Sequence, residues 1–267
     1  MIELNYIRKG AGEPLLLLHS LGGSIVMWAP VLGRLAAERE VIAVDMPGFG
    51  ASPPLPEGVD ATAANIAGAV IEFYDSLRIE ADPGVSGISL GAWVAIECAR
   101  QGRAAAVVGL NSAGFWTEPL GPRRNTARAA AKVLSLIAPL LLRNPDRRHR
   151  ILAGQMRHGE RLSTPEAVAI VRGYGRAKSY DEANHLMRSG TVGDLSDVAV
   201  PLTLAWSEYD RVVRNKPLPP ERIPEGVRQV MLPGCAHIPT WDDPELVTRT
   251  ILEGTSLRRD HLEAISR

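Results

Sequence analysis

Gly87-Ile88-Ser89-Leu90-Gly91 is the stretch on which the fold turns. It reads G-x-S-x-G. The residues before it, 84–86, can form a short strand, and residues 90–101 carry helical periodicity that Gly102 is placed to stop. A nucleophile set on so tight a strand-to-helix turn needs small neighbours, because the two backbones approach closely there. Gly87 and Gly91 supply them. The turn lifts a serine hydroxyl above the sheet, and the helix N-terminus behind it favours developing negative charge. Five residues can also match by chance, so the pattern gains weight only from its partners.

Working outward, short apolar runs bounded by turn residues alternate with helical stretches. Residues 15–18, 41–44, 107–110, 202–206 and 227–232 read as strands. Leu15-Leu16-Leu17-Leu18 and Val41-Ile42-Ala43-Val44 are continuously apolar, as strands covered on both faces should be. Residues 28–37, 61–77 and 90–101 read as helices. The alternation predicts an α/β fold: a mostly parallel central sheet with helices on both faces. It breaks after Ala113, and helical patterns follow over 126–142, 146–158, 164–178 and 180–189. Pro139 is expected to kink or end the first of these. Thr164 is expected to cap the third, with Pro165 at its first helical position. The domain reading is a core of 1–113 plus 196–267, interrupted by a helical cap over 114–195. The charged stretch 255–267 reads as a weakly held helix.

Composition narrows the function. The 267 residues carry 30 Lys+Arg and 30 Asp+Glu, for a formal net charge of zero. That balance argues against nucleic acid as a partner and offers no general attraction to an anionic membrane. Two cysteines, Cys98 and Cys235, are too few for a disulfide framework. Residues 1–9 lack a charged-then-apolar leader, and the expected location is cytoplasmic. His-rich or Cys-rich tracts with metal spacing are absent, so neither a metal nor a cofactor is expected.

A serine hydroxyl is a weak nucleophile and needs an adjacent base. His237, in Leu232-Pro233-Gly234-Cys235-Ala236-His237-Ile238-Pro239, lies just past the last apolar strand and is the best placed of six histidines. Asp210 follows the strand 202–206 directly, where a carboxylate can hold an imidazole in the right tautomer. Glu208 is its nearest rival, and side-chain direction alone does not exclude it. His19-Ser20-Leu21-Gly22-Gly23 follows the Leu-rich strand. The backbone N–H of Leu21, with that of Leu90 after the serine, can receive an oxyanion. Plainer readings exist for each: a packing histidine, a turn aspartate, a glycine turn. Together they give Ser89, Asp210 and His237 in that order, each beyond a separate strand, which is the order of a serine hydrolase on a parallel sheet. Trp28, Trp116 and Ile238 are assigned to substrate contact. The apolar run 133–142 is assigned to a lid or to a homodimer contact.

These segments resemble the α/β-hydrolase fold family, of the capped type. His19-Ser20-Leu21-Gly22, Asp45-Met46-Pro47-Gly48-Phe49-Gly50-Ala51-Ser52, the Gly87–Gly91 elbow, Trp206–Asp210 and Pro233–Pro239 match family segments in their usual order. The likeness covers about 1–113 and 195–255 and is greatest to the enol-lactonase and small carboxylesterase branch. It implies a structural role for Asp45. Ser20, Ala92, Ser207 and Ala236 stand where glycine is commoner, which bears on loop geometry rather than on the reacting groups. Asn111 stands where some relatives keep their acid, and an amide cannot replace it. The resemblance implies hydrolysis of a small-molecule carboxylic ester or lactone through an acyl-enzyme. Alternatives are C–C bond hydrolysis, acyl transfer with the same triad, or a noncatalytic ligand-binding protein on this scaffold.

Overall fold

A computed structural model describes residues 2–121, 126–213, 223 and 226–256. Seven strands form one sheet in the order β1-β3-β2-β4-β5-β6-β7. They are β1 (Tyr6–Lys9), β2 (Pro14–Leu18), β3 (Glu40–Val44), β4 (Gly84–Ile88), β5 (Ala106–Leu110), β6 (Leu202–Ser207) and β7 (Arg228–Leu232). Only β1 runs antiparallel, against β3; the other pairings are parallel.

The four leucines of β2 show why the sheet is covered twice. Leu16 and Leu18 enter one core layer and Leu15 and Leu17 the other, because alternate side chains leave a strand on opposite faces. The first layer packs under α2 (Ala63–Ser76) and α3 (Leu90–Arg100), through Ile66, Val70, Phe73 and Val94. The second packs under α1 (Ala29–Leu35) and α8 (Pro244–Thr255), through Val31, Leu35, Val247 and Ile251. Gly254 makes the α8 packing close, since a methyl group there would meet Val108 and Thr203.

Between β5 and β6 run α4 (Thr126–Leu141), α5 (Pro145–Leu152), α6 (Thr164–Arg176) and α7 (Tyr180–Ser189). Buried Arg128 ties α4 to the α6–α7 junction. Its guanidinium donates to the carbonyls of Tyr174 (2.8 Å) and Ala177 (2.9 Å), and it lies 4.1 Å over the Tyr180 ring. Val133, Leu136, Ile137 and Leu140 of α4 face solvent.

Several boundaries differ from expectation. Pro139 lies inside α4 and does not end it. The cap of α6 is Ser163, one residue earlier than expected; its side chain and that of Glu166 form a capping box, with Pro165 just inside. The helix expected over 146–158 stops at Leu152, because the N–H groups of Arg157 and His158 bond a carboxylate from another loop. Strand β1 and helix α8 have no counterpart in the sequence reading. Residues 257–267 lie outside the described residues. Among the described residues no helix is long and apolar enough to cross a membrane.

Candidate active site

Ser89 stands between β4 and α3 with φ +56° and ψ −115°, a conformation that a non-glycine residue adopts only when its surroundings enforce it. The enforcement is visible. Its N–H donates to the Leu110 carbonyl (2.9 Å), and its carbonyl accepts from Ala92, Trp93 and Ala113. A methyl group on Gly87 would strike the Gly91 carbonyl, and one on Gly91 the carbonyls of Leu18 and His19. The strand, elbow and helix therefore close only with glycine at both positions.

At the carboxyl ends of β6 and β7 the two partners meet. His237 Nδ1 lies 2.8 Å from Asp210 Oδ2, with side chains 3% and 7% exposed. Water is nearly excluded from this contact, so the carboxylate fixes the ring and its tautomer, with hydrogen on Nδ1. The other Asp210 oxygen accepts the N–H groups of Val212 (2.7 Å) and Val213 (3.1 Å), which orients the carboxylate in turn. Glu208 is turned away and accepts the Gly234 N–H (2.9 Å). Of the two acids, Asp210 is the one that lies against the imidazole. Among the described residues no hydrogen bond joins Ser89 Oγ to His237; such contacts are commonly long before substrate arrives.

The loop after β2 is held by His19. This fully buried ring has Nδ1 2.8 Å from the Ser20 carbonyl, while Nε2 accepts the Met46 N–H at 2.9 Å. Both nitrogens are committed to a neutral ring, and burial lowers its pKa. The Leu21 and Leu90 amides donate no hydrogen bond to another of the described residues. Asp45 accepts from Ile25, Ala51 and the Asn5 side chain, and acts as the brace of its turn.

The remaining assigned residues are scattered. Trp28 is fully buried in the second core layer. Trp116 is half-buried, donates to the Gly190 carbonyl (2.7 Å) and meets Trp93 edge-on. Ile238 is buried, with its N–H on the Gln155 carbonyl (2.8 Å). A cavity of about 200 Å³ between residues 54–61 and the start of α7 includes none of Ser89, Asp210 or His237.

Two polar groups near the site carry more than the sequence reading assigned. Asn111, with φ +48°, donates from Nδ2 to Ser207 Oγ (2.8 Å) and to the carbonyls of Ala236 (3.2 Å) and His237 (3.0 Å). Its Oδ1 accepts the Ser207 N–H (2.7 Å), so one amide joins the β5, β6 and histidine loops. Asp242 does similar work on the other side of His237. The Asp243-Pro244-Glu245 helix start was the available signal that this loop is followed by packed structure. Burial pushes the Cys98 and Cys235 thiols up to about 12, so both stay protonated at neutral pH. Among the described residues no group of three His, Cys, Asp or Glu side chains is arranged to hold a metal.

Helices of the β5–β6 connection press on these loops. The Lys178 N–H donates to the Gly48 carbonyl (3.0 Å), and Gly22 abuts the Tyr174 and Tyr180 rings. The connection therefore packs on the loops that follow β2 and β3.

Residues 15–250 match the profile of the Alpha/beta hydrolase family. The chain is 41% identical over 99 residues to a dihydrolipoyllysine-residue acetyltransferase component of the acetoin cleaving system from Cupriavidus necator. That match takes in 37% of this chain and only 26% of the relative. It is 30% identical over 183 residues to the epoxide hydrolase EphH of Mycobacterium tuberculosis, spanning 62% of this chain and 83% of that one. The solved enol-lactonase of Burkholderia xenovorans LB400 superimposes with a TM-score of 0.67 at 20% identity, covering 96% of this chain and 97% of the other.

Proposed function

The chain belongs to the alpha/beta hydrolase family, and we propose that it is a serine hydrolase cleaving a small carboxylic ester or lactone through an acyl-enzyme. The observation carrying this reading is the buried 2.8 Å pair of His237 and Asp210, at the same sheet edge as the strained Ser89. His237 Nε2 takes the Ser89 proton as Oγ attacks the carbonyl carbon. The oxyanion is received by the N–H groups of Leu21 and Leu90, aided by the α3 N-terminus. Collapse expels the alkoxide, which takes the proton from His237. Water then gives a proton to His237, attacks the acyl-serine, and releases the acid as Oγ regains its hydrogen.

The nucleophile argues against epoxide opening despite the similarity to an epoxide hydrolase. A serine alkylated by an epoxide is an ether, with no carbonyl for water to attack, so turnover would stop after one event. An acylated serine is an ester and returns the enzyme. C–C cleavage and acyl transfer remain compatible with the same triad. A ligand-binding role alone would need neither the imidazole–carboxylate pair nor the enforced φ at Ser89.

A fluorophosphonate probe tests the assignment. It is expected to label wild-type protein at Ser89 only, with labelling and p-nitrophenyl butyrate hydrolysis both absent in Ser89→Ala of unchanged melting temperature. Folded wild-type protein that takes no label would overturn it.

A further inference from the structure

Asp242 is a buried acid that the reaction does not consume. It lies five positions after His237 and is 7% exposed. Its Oδ2 accepts the Ala236 N–H at 2.8 Å, and its Oδ1 accepts those of Arg157 (2.8 Å) and His158 (2.9 Å). Ala236 is the chain neighbour of the imidazole. Arg157 and His158 belong to the connection between β5 and β6. Every donor is main chain, so only a group that accepts on both oxygens satisfies all three. Burial drives this carboxyl above its ordinary value, and the three N–H groups pull it back.

The same stretch of the connection grips its surroundings elsewhere. Gln155 accepts the Ile238 N–H (2.8 Å), and Arg161 donates to the carbonyls of Asp242 (2.7 Å) and Trp241 (3.3 Å). The Arg157 guanidinium lies 4.1 Å over the Tyr209 ring and donates to the Gly234 carbonyl (3.3 Å). Tyr209 precedes Asp210. Residues 155–161 thus hold both the histidine loop and the acid loop.

We propose that Asp242 is a positioning residue for His237, making the placement of the base depend on how residues 155–161 are seated against the core. This rests on reading His237 as the general base. The connection then sets the geometry of the proton transfer as well as covering the site. Asparagine cannot replace the carboxylate, since its NH₂ would face either the Ala236 N–H or the Arg157 and His158 pair, donor against donor.

The test is steady-state hydrolysis of p-nitrophenyl butyrate by full-length wild-type, Asp242→Asn and Arg161→Met proteins, with kcat and KM resolved separately. For Asp242→Asn, kcat is expected to fall roughly 10- to 100-fold with KM held within about twofold, the scale of a misplacement on the order of 1 Å. Arg161→Met alters only an exposed side chain of the connection and should lower kcat less, again with KM held. Wild-type kcat in Asp242→Asn overturns the proposal whatever its melting temperature, as does an effect confined to KM. Should Asp242→Asn not fold, unchanged kcat in Arg161→Met overturns it. Wild-type protein inert to ester and probe brings down the reading of the site and this inference with it; an active wild type with an unaffected Asp242→Asn brings down this inference alone.

Discussion

Asp210 and Glu208 differ by two positions in sequence and by everything in surroundings. One is buried against His237 and braced by two N–H groups; the other is spent on the Gly234 amide. Replacing Asp210 with asparagine puts an NH₂ or a rotated amide oxygen where the imidazole needs an ionised acceptor. The expected loss in kcat is on the order of 10⁴-fold. Glu208→Gln keeps a carbonyl oxygen for Gly234 and should leave kcat near the wild-type rate. A steady-state comparison of the two variants decides it, and the reverse ranking would move the acid to Glu208. Ser89, His237 and Asp210 could be picked out in the sequence because the serine chemistry proposed above demands a base and the base an acid, each after a strand. Asp242 could not be, since nothing local marks a carboxylate two of whose partners, Arg157 and His158, lie 85 and 84 positions away.

At the level of elements, the buried parallel strands announced themselves by continuous apolar runs. Strand β1 did not, because Tyr6-Ile7-Arg8-Lys9 is an exposed edge that pairs on one side only. The elbow shows what an element junction demands. Gly91→Ala would drive a methyl group into the carbonyls of Leu18 and His19, with no flexible side chain to give way. We expect a loss of about 1–3 kcal/mol or more, read as a lower urea midpoint. Gly33, inside α1, has open space around its missing Cβ. Gly33→Ala should stabilise by about 0.5–1 kcal/mol through helix propensity alone. Equal effects of the two substitutions would show that propensity, not the close approach, governs the elbow.

For the molecule as a whole, a net charge of zero conceals groups whose titration opposes one another. His19 is held neutral by burial, with its pKa below the ordinary 6.5. The unfolded chain takes that proton first as pH falls, so stability is lost from about pH 6.5 down to the folded value and is intact above it. Asp242 works with the other sign. Its folded pKa lies above 3.8, so the native state takes the proton first, and acidification through that window relieves a cost present at neutral pH. The His19 step lies nearer neutrality and should dominate urea unfolding between about pH 7.5 and pH 5.5 as a falling midpoint. His19→Gln retains an oxygen for the Met46 N–H and an NH₂ for the Ser20 carbonyl while removing the titrating group. It should flatten that slope. If the slope persists in His19→Gln, the acid sensitivity of the fold originates elsewhere and the buried ring beneath the Leu21 loop is not its source.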